Sequence, residues 1–407
     1  MAERKGPGKA GTRLVGAGRS KRYTSLAGQP GSVVNPPVWR ASTHLYEDSA
    51  DLAGGRPNED GHFYYGRRGS PTQWALADAL TELEPGADGT LLFPSGVAAI
   101  ASALLAVLRP GDELLVTDNA YEPTRNIAFG MLKKFGIEAK AFDPLDLESY
   151  TAMFSDKTRA VMIESPGSLT MEVCDVPELA RIAREHGALS LLDNTWASSL
   201  NFAALAHGCD IAVMSLTKHV GGHSDLMMGS VSTREPLLAR LRRYSQFLGQ
   251  VVSPDDAALA LRGLRTLDIR LERETASALA IAQWLQGRLE VARVLCPILP
   301  GSQGHELWKR DFTGGCGLFS FVLKGGDEAA RARFIDALKL FGIGYSWGGF
   351  ESLAIPFDPA AIRSASPWPP TGMDEADRLG IRLWIGLEDV DDLIADLEGG
   401  LAAMERG

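Results

Sequence analysis

The feature of this sequence that most restricts its fold is an alternation of short apolar runs with helical patterns, between about residues 90 and 235. The apolar runs are hydrophobic almost throughout rather than at every second position, as expected for strands buried on both faces. Strands that alternate with helices predict a mostly parallel sheet covered by helices, an α/β fold. The predicted strands are LLF (91–93), ELLVTD (113–118), AKAF (139–142), RAVMIES (159–165), LSLLDN (189–194) and IAVMSL (211–216).

One of the intervening helices has clear signals at both ends. DVPELARIAREHG (175–187) places Asp175 as the N-cap and Pro177 in the first turn, and Gly187 ends the helix. Ligands of parallel sheets bind at the carboxyl ends of the strands. We therefore expect the functional residues directly after the strands.

The pattern changes after about residue 265, where a smaller α+β domain is predicted. Its elements are a long helical stretch at roughly 256–288, GLFSFVLKGG (317–326), a helix at 328–341, RLWIGLED (382–389) and a terminal amphipathic helix from Asp389. The first 60-odd residues are rich in Gly and Pro and lack a core pattern, so we expect an extended arm. The predicted division is an arm (1–68), an α/β domain (69–264) and the C-terminal α+β domain (265–407).

The charge balance excludes some classes of partner. The 407 residues include 41 basic and 51 acidic side chains, a net charge of −10, which argues against general affinity for nucleic acid or anionic membranes. No apolar stretch approaches the ~20 residues of a membrane span. The first 22 residues carry seven Lys or Arg without an apolar run, which favours a mobile basic arm over a transit peptide or a secretory signal. We expect a cytoplasmic protein.

The sequence offers little for a metal. The four cysteines are scattered without a CxxC pair, so buried reduced thiols are expected rather than a zinc site or disulfides: Cys174, Cys209, Cys296 and Cys316. His219 and His223 have the spacing of a zinc helix, but the two glycines between them oppose a helix. We expect no metal site.

Lys218 follows the last predicted strand, within MSLTKHVGGHSD (214–225). A lysine at the end of a buried strand loses hydration, which lowers its pKa and favours the neutral, nucleophilic amine. Such an amine forms Schiff bases with aldehydes, and pyridoxal phosphate (PLP) is the aldehyde cofactor typical of this fold class. The alternative is a lysine that extends from the loop into solvent.

Two other strand ends supply groups that suit the same cofactor. In FPSGVAAIASALLA (93–106), Ser95 and Gly96 precede a helix whose free amides suit a phosphate, although a plain glycine turn is the alternative. Asp193 ends the strand of LLDNTW (191–196), where a buried carboxylate needs a cation such as a protonated pyridine, unless it is an ordinary N-cap. Ser215 and Thr217 could donate hydroxyl hydrogen bonds to phosphate. The phosphate cradle, the Asp193 carboxylate and the Lys218 amine together favour PLP more than any one of them does.

The chain resembles a known family over nearly its whole length. It is similar to the Cys/Met-metabolism family of PLP-dependent enzymes, whose aspartate aminotransferase-like fold (PLP fold type I) is therefore expected. The motifs that carry the resemblance are FYYGRRGSPTQ (63–73), NAYEPT (119–124), ESPGSLTMEV (164–173), DNTW (193–196), TKHVGGHSD (217–225), LPGSQGHELWKRDFTGGCGLFSFVL (299–323) and YSWGGFESL (345–353).

The resemblance implies a role for each site residue. Lys218 would carry PLP and act as general base, and Asp193 would pair with the ring nitrogen. The phosphate would be held by Ser215, Thr217 and the backbone of Gly96 and Val97. Tyr121 would stack on the ring and take part in catalysis. The substrate would be bound by Arg382 at its α-carboxylate, by Ser346, and by Trp347 and Tyr65 in the pocket.

The resemblance also implies an oligomer and a reaction. Tyr65 and Arg67 would reach the phosphate in a neighbouring subunit, in a homodimer that pairs into a tetramer. Ser168 stands where many γ-acting relatives carry Asn, and SWGG (346–349) replaces their SLGG, which favours the β-lyases. The expected reaction is α,β-elimination of L-cystathionine to homocysteine, pyruvate and ammonia, with cystine and related thioethers as further substrates. The alternatives are a γ-acting enzyme, a regulatory protein with this fold, and a structural protein without cofactor.

Simple packing roles are the alternatives for several of these residues. Tyr121 and Trp347 could belong to the core, Arg382 could form a structural ion pair, and Arg67 and Arg68 could be surface cations.

Overall fold

The architecture was analysed in a computed structural model. It describes residues 9–26, 28–55, 61–325, 327–370, 374 and 377–404. The strands in this part of the chain are β1 Gly89–Phe93, β2 Glu113–Thr117, β3 Glu138–Phe142, β4 Thr158–Glu164, β5 Leu189–Asp193, β6 Ile211–Ser215, β7 Gly229–Thr233, β8 Val291–Leu295, β9 Leu318–Leu323, β10 Gly342–Ile343, β11 Leu353–Phe357 and β12 Gly380–Trp384.

Helices cover both sheets. They are α1 Ala10–Gly16, α2 Lys21–Thr24, α3 Ser49–Ala53, α4 Pro71–Leu83, α5 Gly96–Val107, α6 Glu122–Asn126, α7 Leu132–Lys134, α8 Leu147–Ala152, α9 Val176–Glu185, α10 Ser198–Asn201, α11 Leu237–Phe247, α12 Pro254–Leu264, α13 Leu267–Gln286, α14 His305–Asp311, α15 Glu328–Ala337 and α16 Val390–Met404. A π-helical turn, Ile127–Met131, joins α6 to α7. Short 3₁₀ helices lie at Gly66–Arg68 and Pro359–Ala361.

The larger sheet has seven strands in the order β1-β7-β6-β5-β4-β2-β3. Strands β2 to β6 pair in parallel, and β7 runs antiparallel to both β1 and β6. The smaller sheet has the order β10-β11-β12-β9-β8 and is mostly antiparallel. The α/β fold with a mostly parallel central sheet and a smaller α+β region is confirmed.

All six predicted strands form, within a few residues of the expected bounds, but β7 was not predicted. Its sequence, GSVST, is fully buried although it is mostly polar. The Ser232 hydroxyl lies 2.8 Å from the Thr90 hydroxyl of the first strand, and the Thr233 hydroxyl donates to the Asp210 carbonyl at 2.7 Å, so these two polar side chains are satisfied within the fold. Such a strand lacks the apolar run by which the other six were found.

Two predicted helices have different bounds in the structure. The stretch 256–288 is two helices, α12 and α13, separated at Arg265 and Thr266. The helix predicted at 328–341 ends at Ala337, because the Asp396 carboxylate accepts hydrogen bonds from the next amides, including those of Lys339 (2.8 Å) and Leu340 (2.8 Å). By contrast, α9 begins after Asp175, whose side chain caps it as expected.

The N-terminal segment is not extended throughout. Residues 10–16 form a helix whose Leu14 is fully buried, and the Arg265 guanidinium donates to the Leu14 carbonyl at 2.7 Å. One buried leucine within a Gly-rich segment gives no periodic signal, which is why the sequence did not reveal this contact.

The remaining negative expectations concern membranes and metals. In the ranges above, no helix has the length and hydrophobicity needed to cross a membrane. Those same ranges contain no cluster of three or more His, Cys, Asp or Glu suited to a metal ion. All four cysteines are buried free thiols.

Candidate active site

A pocket lies at the carboxyl ends of the central strands, between the two sheets. It gathers nine of the residues singled out in the sequence, namely Gly96, Val97, Tyr121, Asp193, Ser215, Thr217, Lys218, Trp347 and Arg382. They come from six separate segments of the chain. The topology therefore brings together the groups whose combination favoured PLP.

Lys218 presents its amine to this pocket. Its Nζ donates to the Ser346 hydroxyl at 2.7 Å and lies 5.5 Å from the ring centroid of Trp347. Burial, followed by the positive charge of Arg382, lowers the pKa of Lys218 to about 8, against the opposing influence of Asp193. The side chain does not extend into solvent, and a substantial fraction of its amine is neutral near pH 7 to 8.

Ser346 connects the two cations of the site. Its hydroxyl accepts from Lys218, and its carbonyl accepts from the Arg382 guanidinium at 2.9 Å. Its φ of 82° is in the left-handed region, which a residue with a side chain seldom adopts. Gly348 follows with φ 90°, and a Cβ there would lie 2.7 Å from Lys218 Cα. This turn is held against the lysine at the expense of local strain.

Arg382 lies on β12 and is largely buried. Burial lowers the pKa of its guanidinium to about 10, so it remains cationic at neutral pH. Its Nε is buried with no hydrogen-bond partner in the described part of the chain, where Arg382 also forms no ion pair. A guanidinium group with no ion-pair partner and a free Nε at a pocket wall suits a carboxylate ligand.

Asp193 ends β5 and is partly buried. Its Oδ1 accepts hydrogen bonds from the Thr195 amide (3.1 Å) and hydroxyl (2.5 Å). Burial raises the pKa of Asp193, while the Thr195 hydrogen bonds and the Lys218 charge oppose that effect. The Thr195 hydroxyl also accepts from the Ser215 amide at 2.9 Å, which fixes Asp193 to the end of the neighbouring strand.

A second carboxylate, Glu164, lies beside Asp193 and was not assigned a role from the sequence. The two residues are register partners on β4 and β5, and both line the pocket. Glu164 accepts from the Tyr121 amide at 2.6 Å. Burial, followed by the neighbouring Asp193 charge, raises the pKa of Glu164 well above its usual range. Only the strand register could have revealed this pair.

The residues expected to hold the phosphate lie at the start of α5 and at the end of β6. Ser95 caps the helix by accepting from the Ala98 amide, so it is more than a glycine turn, and the first helical amides belong to Gly96 and Val97. A Cβ at Gly96 would lie 2.8 Å from the Ser215 Cβ, so the helix start approaches β6 closely. The Thr217 hydroxyl donates to the Met228 carbonyl (3.2 Å) and accepts from its amide (2.9 Å).

Tyr121 and Trp347 both line the pocket. Tyr121 is 41% exposed and precedes α6, so it is not a core residue. Burial of its hydroxyl, followed by the Glu164 charge, raises the pKa of Tyr121. Trp347 packs on the buried His219, with ring centroids 5.1 Å apart, and thus both lines the pocket and joins the packing beneath it.

Tyr65 and Arg67 are placed elsewhere. Within the part of the chain that the structure describes, neither belongs to the lining of this pocket. Tyr65 is 46% exposed, and Arg67 donates to the Gln246 carbonyl at 3.1 Å. Their contribution to a neighbouring subunit stays a prediction.

These groups match the requirements of one cofactor. An amine with a lowered pKa can form a Schiff base with an aldehyde, the Asp193 carboxylate can pair with a protonated ring nitrogen, and the start of α5 can hold a phosphate. The fold and the site together define a PLP-dependent enzyme of the aspartate aminotransferase-like class.

The comparison with known sequences gives the family. The chain matches the family described as Cys/Met metabolism PLP-dependent enzyme over residues 12–402, and it belongs to that family. It is 44% identical to cystathionine beta-lyase MetC of Escherichia coli (strain K12), over 97% of this chain and 98% of the relative. It is 35% identical to L-methionine gamma-lyase of Pseudomonas putida, over 92% of this chain and 94% of the relative.

Solved structures agree with this assignment. Cystathionine gamma synthase from Xanthomonas oryzae pv. oryzae matches with a TM-score of 0.87 and 34% identity, over 98% of this chain and 100% of that one. The resemblance inferred from the motifs is confirmed, as are the fold class and the PLP cofactor. The chain is an enzyme, so the regulatory and purely structural alternatives are set aside.

Proposed function

We propose that this enzyme cleaves the Cβ–S bond of L-cystathionine by α,β-elimination. L-Cystathionine and water give L-homocysteine, pyruvate and ammonia, and L-cystine and related cysteine thioethers are further substrates. The observation that carries the proposal is the Lys218 amine, held by Ser346 at 2.7 Å in the same pocket as Asp193, Arg382 and Trp347. The 44% identity to a cystathionine beta-lyase supports the choice of substrate.

Lys218 moves the proton in this mechanism. PLP, when bound, accepts the electron pair released at the substrate α carbon, which is the chemistry this cofactor supplies. Because the pKa of Lys218 is lowered to about 8, its amine can take up the α proton near neutral pH. The Ser346 hydroxyl, as its hydrogen-bond partner, orients the amine.

Other residues bind the substrate and assist departure of the thiolate. Arg382 orients the α-carboxylate through its planar guanidinium, whose Nε is free to donate. Asp193 holds the positive charge of the ring nitrogen, and Lys218 or Tyr121 gives a proton to the leaving sulfur. The raised pKa of Tyr121 keeps its hydroxyl protonated at neutral pH, as a proton donor requires.

The wall beside the cofactor supports β- rather than γ-elimination. Ser168, in the position where many γ-acting relatives have Asn, lines the pocket, and the neighbouring Gly167 is closely packed. A Cβ at Gly167 would lie 2.2 Å from the side-chain amide nitrogen, Nδ2, of Asn119. Trp347, the residue that differs from the SLGG of the γ-acting branch, lies over the Lys218 amine. Both differences from the γ-acting relatives thus lie in the wall of the pocket that contains Lys218.

Product analysis tests the proposal. Purified enzyme with PLP and L-cystathionine should release pyruvate and homocysteine, measured by chromatography. Release of 2-oxobutyrate and cysteine instead would place the enzyme in the γ-acting branch. The K218A variant should lose elimination and keep part of its cofactor through the phosphate contacts. Lys140, which pairs with Glu113 away from the pocket, provides the control K140A with full activity.

We also infer that each site is completed by a second subunit through Tyr65 and Arg67. A mixing experiment tests this inference. K218A removes a group from the site of its own chain, whereas R67A removes a group from the site of the neighbouring subunit. When the two inactive variants are unfolded and refolded together at equal amounts, half of the dimers are hybrids and each hybrid has one intact site, which gives about a quarter of wild-type activity. No recovery of activity would show that Arg67 serves its own chain's site or none.

A further inference from the structure

Asp118 lies directly after β2, three residues before Tyr121, and forms an unusual buried carboxylate site. Its side chain is fully buried. It accepts hydrogen bonds from three successive backbone amides, those of Ser364 (2.9 Å), Ala365 (2.8 Å) and Ser366 (2.8 Å). The hydroxyls of Ser364 and Ser366 add two more, at 3.1 and 3.2 Å.

Arg125, on α6, completes the contact. Its guanidinium pairs with Asp118 at 2.8 Å and donates to the Ile362 carbonyl. Burial alone would raise the pKa of Asp118, but the amide hydrogen bonds and the Arg125 charge outweigh it and hold the pKa below its usual range. The carboxylate therefore stays ionised, with five donors from residues 364–366 directed at it.

The same short segment is fastened to a second wall of the pocket. Arg363 is buried and pairs with Glu172 at 2.8 Å, and it also donates to the Thr170 hydroxyl. Thr170 directly follows Ser168 and Leu169, which line the pocket. We call residues 362–366 the latch segment. Buried charged groups hold it to two loops, namely residues 118–121, called the Tyr121 loop, and residues 166–172.

The latch segment lies between β11 and β12, and β12 carries Arg382. It therefore lies in the chain connection to the Arg382 strand, and its charged groups hold it to two loops that line the pocket. A buried carboxylate that accepts this many hydrogen bonds resists displacement, since exposure of one donor or loss of one partner leaves others unsatisfied.

We propose that Asp118 is a positioning residue, which, through the latch segment, sets Tyr121 relative to the other loop that lines the pocket, residues 166–172. This inference builds on the proposed elimination reaction. Misplacement of a catalytic group by about 1 Å can reduce the rate about a hundredfold. Loss of the latch therefore impairs substrate binding and turnover together, although Asp118 touches neither substrate nor cofactor.

The test compares D118N with a matched control, D396N. Asp396 is a similar acceptor of successive backbone amides, at Lys339, Leu340 and Phe341, but it belongs to the C-terminal helix and does not line the pocket. Kinetics with L-cystathionine and hydrogen exchange of backbone amides in residues 121–126 are measured on the PLP-loaded full chain. Circular dichroism and melting temperature report on folding.

We expect D118N to lower kcat/KM at least tenfold with a raised KM, and to speed exchange in residues 121–126 at least tenfold. D396N should leave KM and this exchange within twofold of wild type even where it lowers the melting temperature. A purely structural role of Asp118 would reduce the amount of active enzyme, and hence apparent kcat, at an unchanged KM.

Unchanged KM and exchange in D118N would overturn the proposal, and so would equal effects in D396N. If D118N does not fold, R363M, which breaks the second fastening of the latch segment, must show the same rise in KM and exchange. If wild type forms no pyruvate from L-cystathionine, the proposed reaction fails. The exchange comparison then still decides whether Asp118 holds the Tyr121 loop.

Discussion

The reactivity of Lys218 toward an aldehyde should show a midpoint near pH 8. Burial and the Arg382 charge lower the pKa of this amine to about 8 from an ordinary 10.5. At pH 7 the neutral fraction is then ~9% rather than ~0.03%, an increase of about 300-fold in the species that reacts. Restricted access lowers the absolute rate but leaves the midpoint unchanged.

The assay is reductive methylation of cofactor-free enzyme with formaldehyde and cyanoborohydride between pH 6 and 11. Modification of each lysine is measured by peptide mass spectrometry. Lys140 serves as the internal reference, because its hydrogen bond to Glu113 raises its pKa. We expect Lys218 to reach half its maximal rate at least two pH units below Lys140.

Removing the Arg382 charge should shift the Lys218 midpoint upward. R382M eliminates the repulsion that lowers the pKa of Lys218, while burial, the larger cause, persists. The midpoint should therefore rise but stay below 10.5. R378M is the control, since Arg378 pairs with Asp358 and is 47% exposed. Coincident midpoints of Lys218 and Lys140 in wild type would refute the argument that the pocket prepares a neutral amine.

Three further outcomes follow from the site and the core. D193N should lower kcat at least about a hundredfold while E164Q lowers it less than about tenfold, because D193N removes the carboxylate that pairs with the ring nitrogen, whereas burial raises the pKa of Glu164 and favours its neutral form; steady-state kinetics compare them. G96A should weaken PLP binding about tenfold, since its Cβ would lie 2.8 Å from Ser215 Cβ. The control is G16A, because a Cβ at Gly16 meets no atom within 4 Å. Equal PLP affinities of the two variants in fluorescence titration would contradict this prediction. E274Q should gain stability relative to wild type as the pH rises from about 4.5 to about 8. Burial raises the pKa of Glu274 to about 8, so in wild type this carboxyl ionises first in the unfolded chain, which disfavours folding. Melting temperatures that change equally in both proteins between pH 5 and pH 8.5 would contradict this expectation.

The central sheet and its strand-end residues could be predicted because their signals are local. Buried parallel strands are continuous apolar runs, and the strand direction places Asp193, Ser215 and Lys218 at one edge. The antiparallel strand β7 could not be found in this way, because its buried sequence, GSVST, is mostly polar and forms no apolar run.

The contacts that refine the site were less accessible because they join segments far apart in sequence. Asp118 is 246 positions from Ser364, and Lys218 is 128 from Ser346. The motif of residues 345–353 identified Ser346 through family resemblance, but not its left-handed backbone or its bonds to both Lys218 and Arg382. Such contacts depend on how two sheets pack, which no short stretch of sequence encodes.

The pairing of Glu164 with Asp193 explains why the two carboxyl groups of the pocket differ in how readily they ionise. Like charges at adjacent register positions repel, so the charge on either carboxyl disfavours ionisation of the other. The Asp193 anion is stabilised by two donors from Thr195 and by the Lys218 charge, whereas in the described part of the chain the Glu164 carboxyl accepts from the Tyr121 amide alone. The ionised form is therefore favoured at Asp193 more than at Glu164. This difference suits Asp193 to pair with the ring nitrogen, while Glu164 holds the Tyr121 backbone.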